Sequence, residues 1–352
     1  MVWSPADLLW SLTNRAQLTA FESVCANLFI LLSLSPLITP IHNLIRGNQF
    51  NPEGKHVYLT GGSVGLGRAV AIELAKQGAH ITIIARKEGP LKETVELMKE
   101  AAAARKGAKG EQKFHYVSAD LTDREQAIRA LDEASTLHGG RVPDIVMTCA
   151  GTSIPRFFTE APIEDFEWQM KVNYFGTLYT VHEAYKRMVE TGVKGKIVMT
   201  SSTLGLVGLV GYTSYCPSKY ALRGLAESLR NESHLHGITT QIYYPGTMFS
   251  PGYETENLTK PLLTREIEGS SGLTPDDAAK GMLKQLRKGY FAVTTDFDTS
   301  FLRVASKGVT PYGNIGWDYI LGLIAPIGAT SFLWEADGKV RKYGKKNLKK
   351  EL

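Results

Sequence analysis

Cysteine is scarce in this chain: three residues in 352, namely Cys25, Cys149 and Cys216. An odd, scattered set cannot build a disulfide framework and argues for a reducing compartment. Cys216 adjoins Tyr215, but no His or acidic partner for a nucleophile is evident, so it reads as a small packing residue. The eight histidines lack metal-ligand spacing. His234-Leu235-His236, at a helix end, reads as a surface pair complementing the dipole, and no metal is expected. Excess charge is also missing over most of the chain. The net charge is +5, and the last eighteen residues hold seven Lys/Arg against three acids. The remainder is nearly neutral, which argues against a nucleic-acid partner. Internal repeats are absent, and so is the cationic start of a cleaved signal peptide, since Asp7 and Glu22 precede the first apolar run.

What the chain does have is alternation. Strand-like runs VYLT, ITIIA, FHYVS, DIVMT, KIVMTS, TQIYY and FAVTT alternate with helical patterns between Lys55 and about Thr295. This predicts an α/β fold, a doubly wound parallel seven-stranded sheet of the Rossmann type, with apolar N- and C-terminal extensions. The expected division is residues 1–52 as an apolar, membrane-associated segment, 53–300 as the nucleotide-binding catalytic domain, and 301–352 as an apolar segment with a basic tail. RKGAKGEQK, Arg105 to Lys113, reads as a solvated surface loop.

The first strand runs into Thr60-Gly61-Gly62-Ser63-Val64-Gly65-Leu66-Gly67 and then a helical pattern. Strand, glycine turn and helix is the context that makes a glycine motif a dinucleotide site. Gly61 permits the tight turn, Gly65 lets backbone approach a pyrophosphate, and Gly67 lets helix pack on strand. The helix N-terminus offers free N–H groups to phosphates. Gly61, Ser63, Val64, Gly65 and Leu66 are the candidate contacts. The second strand ends in Arg86 and Lys87, where an NAD site carries an acid for the ribose hydroxyl; an arginine suits a 2′-phosphate. NADPH is therefore expected, with Arg86 as main reader and Lys87 as helper. Asp120-Leu121, after the third strand, suits adenine contact, although Asp120 could equally cap a helix beginning near Thr122.

Further along stand Ser202, Tyr215 and Lys219. A tyrosine hydroxyl titrates near ~10 and is a poor proton donor at neutral pH. A lysine four residues later shares its helix face, and its ammonium favours the phenolate. Ser202, at a strand end, can donate to the same substrate oxygen. The three could move a proton in step with a hydride.

TGxxxGxG, Asn173, Ser202 and Tyr215-x-x-x-Lys219 together resemble the short-chain dehydrogenases/reductases, over about residues 55 to 295. The resemblance implies that Tyr215 donates a proton to a ketone, that Lys219 holds the cofactor ribose and tunes Tyr215, and that Ser202 polarises the carbonyl. It also implies that Asn173 holds a water refilling the proton path; by residues alone, a buried Asn bonded to its neighbours is the other reading. Ala150 and Gly151 would leave room beside the cofactor. The segment Thr148-Cys149-Ala150-Gly151 departs from the usual NNAG, which puts the first Asn's hydrogen bonds in doubt. GGSVGLG, TCAG, GLVGYTSY, RGLAESL and TMFSPGYETENLTKPLLTR are similar to 3-ketodihydrosphingosine reductases. That resemblance implies NADPH-dependent reduction of a long-chain 3-keto sphingoid base in sphingolipid synthesis, the rival being a membrane-associated steroid or retinoid dehydrogenase. Gly246 and Ser250 depart from the family's loop. The loop from Pro251 to about Ser271, interrupted by Pro and Gly, would cover the substrate and be mobile.

From Ser23 to Ile45 no side chain is charged. The run is long enough to cross a bilayer, with Pro36 and Pro40 to kink it, or could pack on the domain or a second subunit. Ile315 to Trp334 is apolar apart from Asp318 and is broken by Pro326, with Trp317, Tyr319 and Trp334 placed as interfacial anchors. A re-entrant or surface-lying segment is expected, or else a helix pair at a dimer or tetramer interface. The terminal Lys349-Lys350-Glu351-Leu352 resembles the dilysine retrieval signal. Together these imply the endoplasmic reticulum membrane, a catalytic domain facing the cytosol and a homo-oligomer.

Overall fold

Seven runs rich in apolar and β-branched residues become strands, and all but the edge strand Phe114–Ser118 are buried over most of their length. They are β1 (His56–Thr60), β2 (His80–Ala85), β3 (Phe114–Ser118), β4 (Ile145–Thr148), β5 (Lys196–Thr200), β6 (Thr239–Tyr244) and β7 (Ala292–Thr294). All seven expected segments are present. The structure, a computed structural model, describes residues 22, 50–105, 110–311 and 313–347. The N-terminal apolar run with Cys25, part of the basic loop after Arg105, and the Lys349-Lys350 tail lie outside the described residues.

The strands are all parallel, in the order β3-β2-β1-β4-β5-β6-β7. The chain reverses direction of winding between β1 and β4, and at such a switch point the carboxyl ends of the strands open a crevice. Helices connect them: α1 (Gly65–Lys76), α2 (Glu88–Ala103), α3 (Arg124–Leu137), α4 (Ile163–Gln169), α5 (Gly176–Thr191), α6 (Cys216–Ser233), α7 (Pro251–Asn257), α8 (Leu262–Glu268), α9 (Pro275–Arg287), α10 (Phe297–Ala305) and α11 (Ile315–Asn347). Strand side chains alternate between faces. Val57, Leu59, Ile81 and Ile83 therefore pack with α1, α2 and α9, whereas Tyr58, Ile84, Val146 and Ile197 pack with α3, α5 and α6.

Three local expectations need correction. α3 begins at Arg124, and its cap is Asp123, whose carboxylate accepts from the Glu125 and Gln126 N–H groups. Asp120 does not cap the helix; it accepts from the backbone and hydroxyl of Thr122. The loop from Pro251 to Ser271 is not irregular. Ser250 caps α7, with Pro251 at its first position where no N–H is needed, and α8 follows.

The third correction concerns Pro326, which does not break the apolar segment: α11 is continuous through it. An interior proline costs about 3 kcal/mol in a helix. Packing offsets it. Leu321 and Ala325, four apart, bury against Val304, Phe301 and Ala305 of α10, and Gly328 lets the Phe301 ring seat on the helix. Asp318, one turn earlier, is the run's one charge; both carboxylate oxygens bond the Arg303 guanidinium, at 2.9 and 2.5 Å. Near the other end, Tyr343 meets Phe157 with ring centres 5.9 Å apart. α11 is thus held on the sheet domain at both ends, about 38 Å apart along its axis.

At the amino-terminal edge of the sheet the fold gathers four histidines. His56 stacks on His138 with ring centres 3.8 Å apart, and His80 and His115 adjoin. Burial holds His56 down to about 4 and His138 to about 3, so both are neutral. Among the described residues no group of three His, Cys, Asp or Glu is placed to hold a metal.

Candidate active site

β1 delivers the chain to Gly61, whose φ of 70° favours glycine, and a Cβ there would stand 2.6 Å from the Ala150 nitrogen. The loops after β1 and β4 therefore touch backbone to backbone. Gly67 abuts the Gly61 carbonyl in the same way, seating α1 directly on the turn. Among the described residues, a Cβ at Gly65 would meet only Ser250 apart from Gly65's own chain neighbours and helix. α1 has no side-chain cap at Val64, which leaves its first-turn N–H groups to solvent or to an anion. Arg68 holds the turn from behind: its Nε donates to the Ser63 carbonyl at 2.9 Å while its fork grips Glu93.

A cavity of about 1260 Å³ opens over the carboxyl ends of the strands. Gly61, Ser63, Val64, Gly65, Leu66, Arg86, Lys87, Asp120, Leu121, Ala150, Gly151, Ser202, Tyr215 and Lys219 all line it. Arg86 and Lys87 are exposed, and neither has an ion-pair partner among the described residues. Thr148, where the family places an Asn, has a buried hydroxyl with no partner among the described residues, so it does not replace that amide's bonds there. Gly151 is close-packed: a Cβ would lie 3.1 Å from Asn173 Oδ1 and 3.5 Å from Lys219 Nζ.

Ser202 follows β5 and accepts from the Leu204 N–H at the head of a short 3₁₀ turn. Tyr215 immediately precedes α6 and Lys219 lies in its first turn. The Lys219 ammonium donates to the Thr200 carbonyl at 3.2 Å and sits 5.6 Å from the Tyr215 ring centre. Burial lowers Lys219 to about 8. Tyr215 is pushed above the usual tyrosine range, chiefly by burial and then by the Glu256 charge, against a hydrogen bond with Ser202. In the protein alone the phenol is thus shifted up rather than down, because the same burial that brings lysine and tyrosine together penalises both charged forms. Cys216 is buried with its thiol pushed up by burial, consistent with packing.

Asn173 does not line the cavity. It lies on a π-helical turn (Met170–Phe175) between α4 and α5, a wide turn that redirects one side chain inward. Fully buried, it accepts from the Thr152 N–H (2.8 Å) and donates to the Thr152 carbonyl (2.9 Å) and Ser218 Oγ (3.0 Å). It ties the loop after β4 to the residue preceding Lys219.

The lowered Lys219 has a measurable consequence. Below about pH 8 the folded protein bears the full cost of burying this ammonium, whereas the unfolded lysine stays charged to its ordinary 10.5. Between those two values the unfolded chain binds more protons, so stability rises with pH. The gain is confined to about pH 8–9, since the raised thiols of Cys149 and Cys216 oppose it above their ordinary value of 9 and the raised tyrosines Tyr215, Tyr243 and Tyr244 above theirs of 10. Urea titrations without nucleotide should show this rise in the wild type and a smaller one in Lys219→Met; identical slopes would exclude a buried ammonium at this position.

Several cavity residues escape sequence reading. Tyr212, Glu256 and Glu268 form one wall, and Phe301, Leu302, Ala329 and Phe332 from α10 and α11 form an apolar one. Glu256 and Lys260 carry a local signal, an i,i+4 ion pair at 2.8 Å. Tyr212 and Glu268 carry none.

A glycine turn on a helix N-terminus and a Ser–Tyr–Lys set beside it define a nicotinamide-dependent short-chain oxidoreductase, and the short chain dehydrogenase family model matches residues 55–260. The 3-ketodihydrosphingosine reductase of Cryptococcus neoformans is 38% identical over 87% of this chain and 90% of its own. That of Dictyostelium discoideum is 36% identical over 91% and 98%. The 3-dehydrosphinganine reductase of Danio rerio is 34% identical over 83% and 84%. The chain belongs to the short-chain dehydrogenases, in the branch of the 3-ketodihydrosphingosine reductases. Among solved structures, levodione reductase matches with TM-score 0.61 at 21% identity, over 69% of this chain and 96% of its own, which speaks for the fold alone. A short chain dehydrogenase from Mycobacterium paratuberculosis bound to NAD matches with TM-score 0.58 at 25% identity, over 70% and 98%.

Proposed function

We propose that the protein reduces the C3 ketone of 3-ketodihydrosphingosine to the alcohol with NADPH. The observation that carries this reading is one cavity joining three features: the Ser202–Tyr215–Lys219 set, a glycine cradle with room for a dinucleotide, and the apolar wall from α10 and α11. NADPH, when bound, supplies the hydride that C3 accepts. Tyr215 gives its phenolic proton to the carbonyl oxygen as that oxygen gains charge. Ser202 donates a hydrogen bond to the same oxygen. Lys219 holds the ribose and, as ammonium, stabilises the phenolate left behind. Asn173 is a positioning residue, anchoring the loop and helix that carry this set. Gly61 to Leu66 would hold the pyrophosphate, Asp120 and Leu121 the adenine, Ala150 and Gly151 the space beside the nicotinamide. The assay is NADPH oxidation with purified protein and 3-ketosphinganine beside a steroid ketone. Turnover of the steroid alone would overturn the reading in favour of a steroid dehydrogenase.

Arg86 and Lys87, which have no ion-pair partner among the described residues, stand at the end of β2 and would read the 2′-phosphate. Arg86→Asp replaces that partner with a repeller and gives the NADH ribose an acceptor. Selectivity should move from NADPH toward NADH by at least about tenfold, or ~1.4 kcal/mol. Unchanged preference in kcat/KM for the two nucleotides would assign the phosphate to another residue.

The reading also puts the protein on the cytosolic face of the endoplasmic reticulum membrane. α11 supports it: Trp317, Leu323, Ile324, Ile327, Leu333 and Trp334 are exposed on a helix whose other face packs on the domain. A helix fastened at both ends lies on a membrane surface more readily than it crosses one. In cell fractionation the wild type should sediment with reticulum membranes, and replacing Leu323, Ile324 and Ile327 with Glu should shift most of it to the soluble fraction. Loss of an oligomer with membrane binding intact would make this face a subunit interface instead.

A further inference from the structure

The two short helices over the cavity hold a cluster that the proton and hydride chemistry leaves unused. The Lys260 side chain is wholly buried, with its ammonium 2.8 Å from Glu256 and 2.6 Å from Glu268. It also lies 4.4 Å from the Tyr253 ring centre and 5.7 Å from that of Tyr212. Tyr212 donates to Glu256 at 2.6 Å and reaches Glu268 at 3.3 Å, and the Thr247 hydroxyl donates to Glu268 at 2.9 Å. Two carboxylates share one ammonium, so one negative charge is left over. It is not distributed evenly, because Glu256, Glu268 and Tyr212 line the cavity whereas Lys260 stands behind them. A surplus anion in a half-buried wall is costly unless a cation meets it.

That wall adjoins the reacting centre. The Tyr212 and Tyr215 rings are 5.9 Å apart, and the Glu256 charge is felt at the Tyr215 phenol. A ligand whose carbonyl sits at Tyr215 would place groups on the neighbouring carbon near Glu256. We infer that Glu256, backed by Glu268 and Lys260, is the subsite for a protonated amine on the carbon next to the reduced ketone. The inference rests on the reading of the substrate as a 3-keto sphingoid base, which carries such an amine at C2. It adds a second consequence: an ammonium on Glu256 cancels the charge that disfavours the Tyr215 phenolate, so an amino ketone would improve its own proton donor. A neutral steroid ketone could do neither.

Steady-state kinetics on the full-length protein with two substrates test this: 3-ketosphinganine and the same long-chain hydroxyketone with hydrogen in place of the amine. The wild type should favour the amino ketone by at least about tenfold in kcat/KM, since a site built around a charged partner discriminates strongly against its absence. Glu256→Gln, and to a lesser degree Glu268→Gln, should shrink that ratio by about tenfold, whereas Glu256→Asp should keep most of it. Nucleotide binding by each variant reports that it is folded, and the wild-type ratio decides the matter even if a variant is not. A wild type that reduces both long-chain ketones equally overturns the amine subsite and leaves the sphingoid reading standing. Gln variants that lose equally on both substrates make the cluster a latch between α7 and α8, which also overturns it. If neither long-chain ketone is reduced while a steroid ketone is, both readings fall together.

Discussion

Tyr215→Phe is expected to lower turnover by ~10² to 10⁴, the range supplied by general acid catalysis, while nucleotide affinity stays near that of the wild type. The substitution keeps the ring, and with it the packing against Tyr212 and the placement over Lys219. It removes one hydroxyl and hence the only proton the set can deliver directly to the carbonyl oxygen. Ser202 cannot replace it, because a serine hydroxyl orients and polarises but is far too weak an acid to give up its proton. Binding is spared because Lys219 and the loops around Gly61 and Gly151 are unchanged. Fluorescence titration with NADPH beside single-turnover kinetics separates the two effects. A variant with near-normal turnover would remove Tyr215 from the mechanism, and one that no longer binds nucleotide would give the phenol a structural role.

Asp318→Ala is expected to destabilise the protein by about 3–5 kcal/mol, the cost of stranding one member of a buried ion pair. Asp318 is 1% exposed and its carboxylate also accepts from the Gly313 N–H at 2.8 Å. Its removal leaves the Arg303 guanidinium and that amide buried without their acceptor; Arg303 Nε already lacks one among the described residues. Leu321, Ala325 and the Phe301 ring against Gly328 would remain to hold that part of α11 on α10. Since Ala329 and Phe332 belong to the cavity wall, loosening should also raise KM for a long-chain ketone. The double variant Arg303→Met/Asp318→Leu should recover much of the loss, because a packed apolar pair of similar volume is often no worse than the ion pair it replaces. Thermal melts and proteolysis across residues 306–314 report on this. A single variant within about 0.5 kcal/mol of the wild type, as for an ordinary surface change, would mean that the pair does not fasten α11.

The sequence by itself determined the seven strands, the glycine turn and the relative placement of Tyr215 and Lys219. Each of these depends on a short stretch of chain: an apolar run, a strand–turn–helix succession, a spacing of four across one helix start. Neighbours in sequence were enough to decide them. The remainder depended on segments far apart in the chain. Asp120 and Asp123 both suit a helix start, and only the backbone geometry chose Asp123. Pro326 argues locally for a break, yet the cost it imposes is smaller than what α11 gains along α10 and at Arg303. The resemblance put Asn173 on the proton path with a buried, neighbour-bonded Asn as the lesser reading, and only the π-helical turn shows its bonds to Thr152 and Ser218. Four histidines without metal spacing meet because three strands begin side by side and α3 ends over them. Tyr212, Glu256, Lys260 and Glu268 converge only once α7 and α8 fold back over the end of β6. Their chemistry is electrostatic, and charge in a folded protein is set by which groups meet and how far water is excluded. Spacing along the chain records neither.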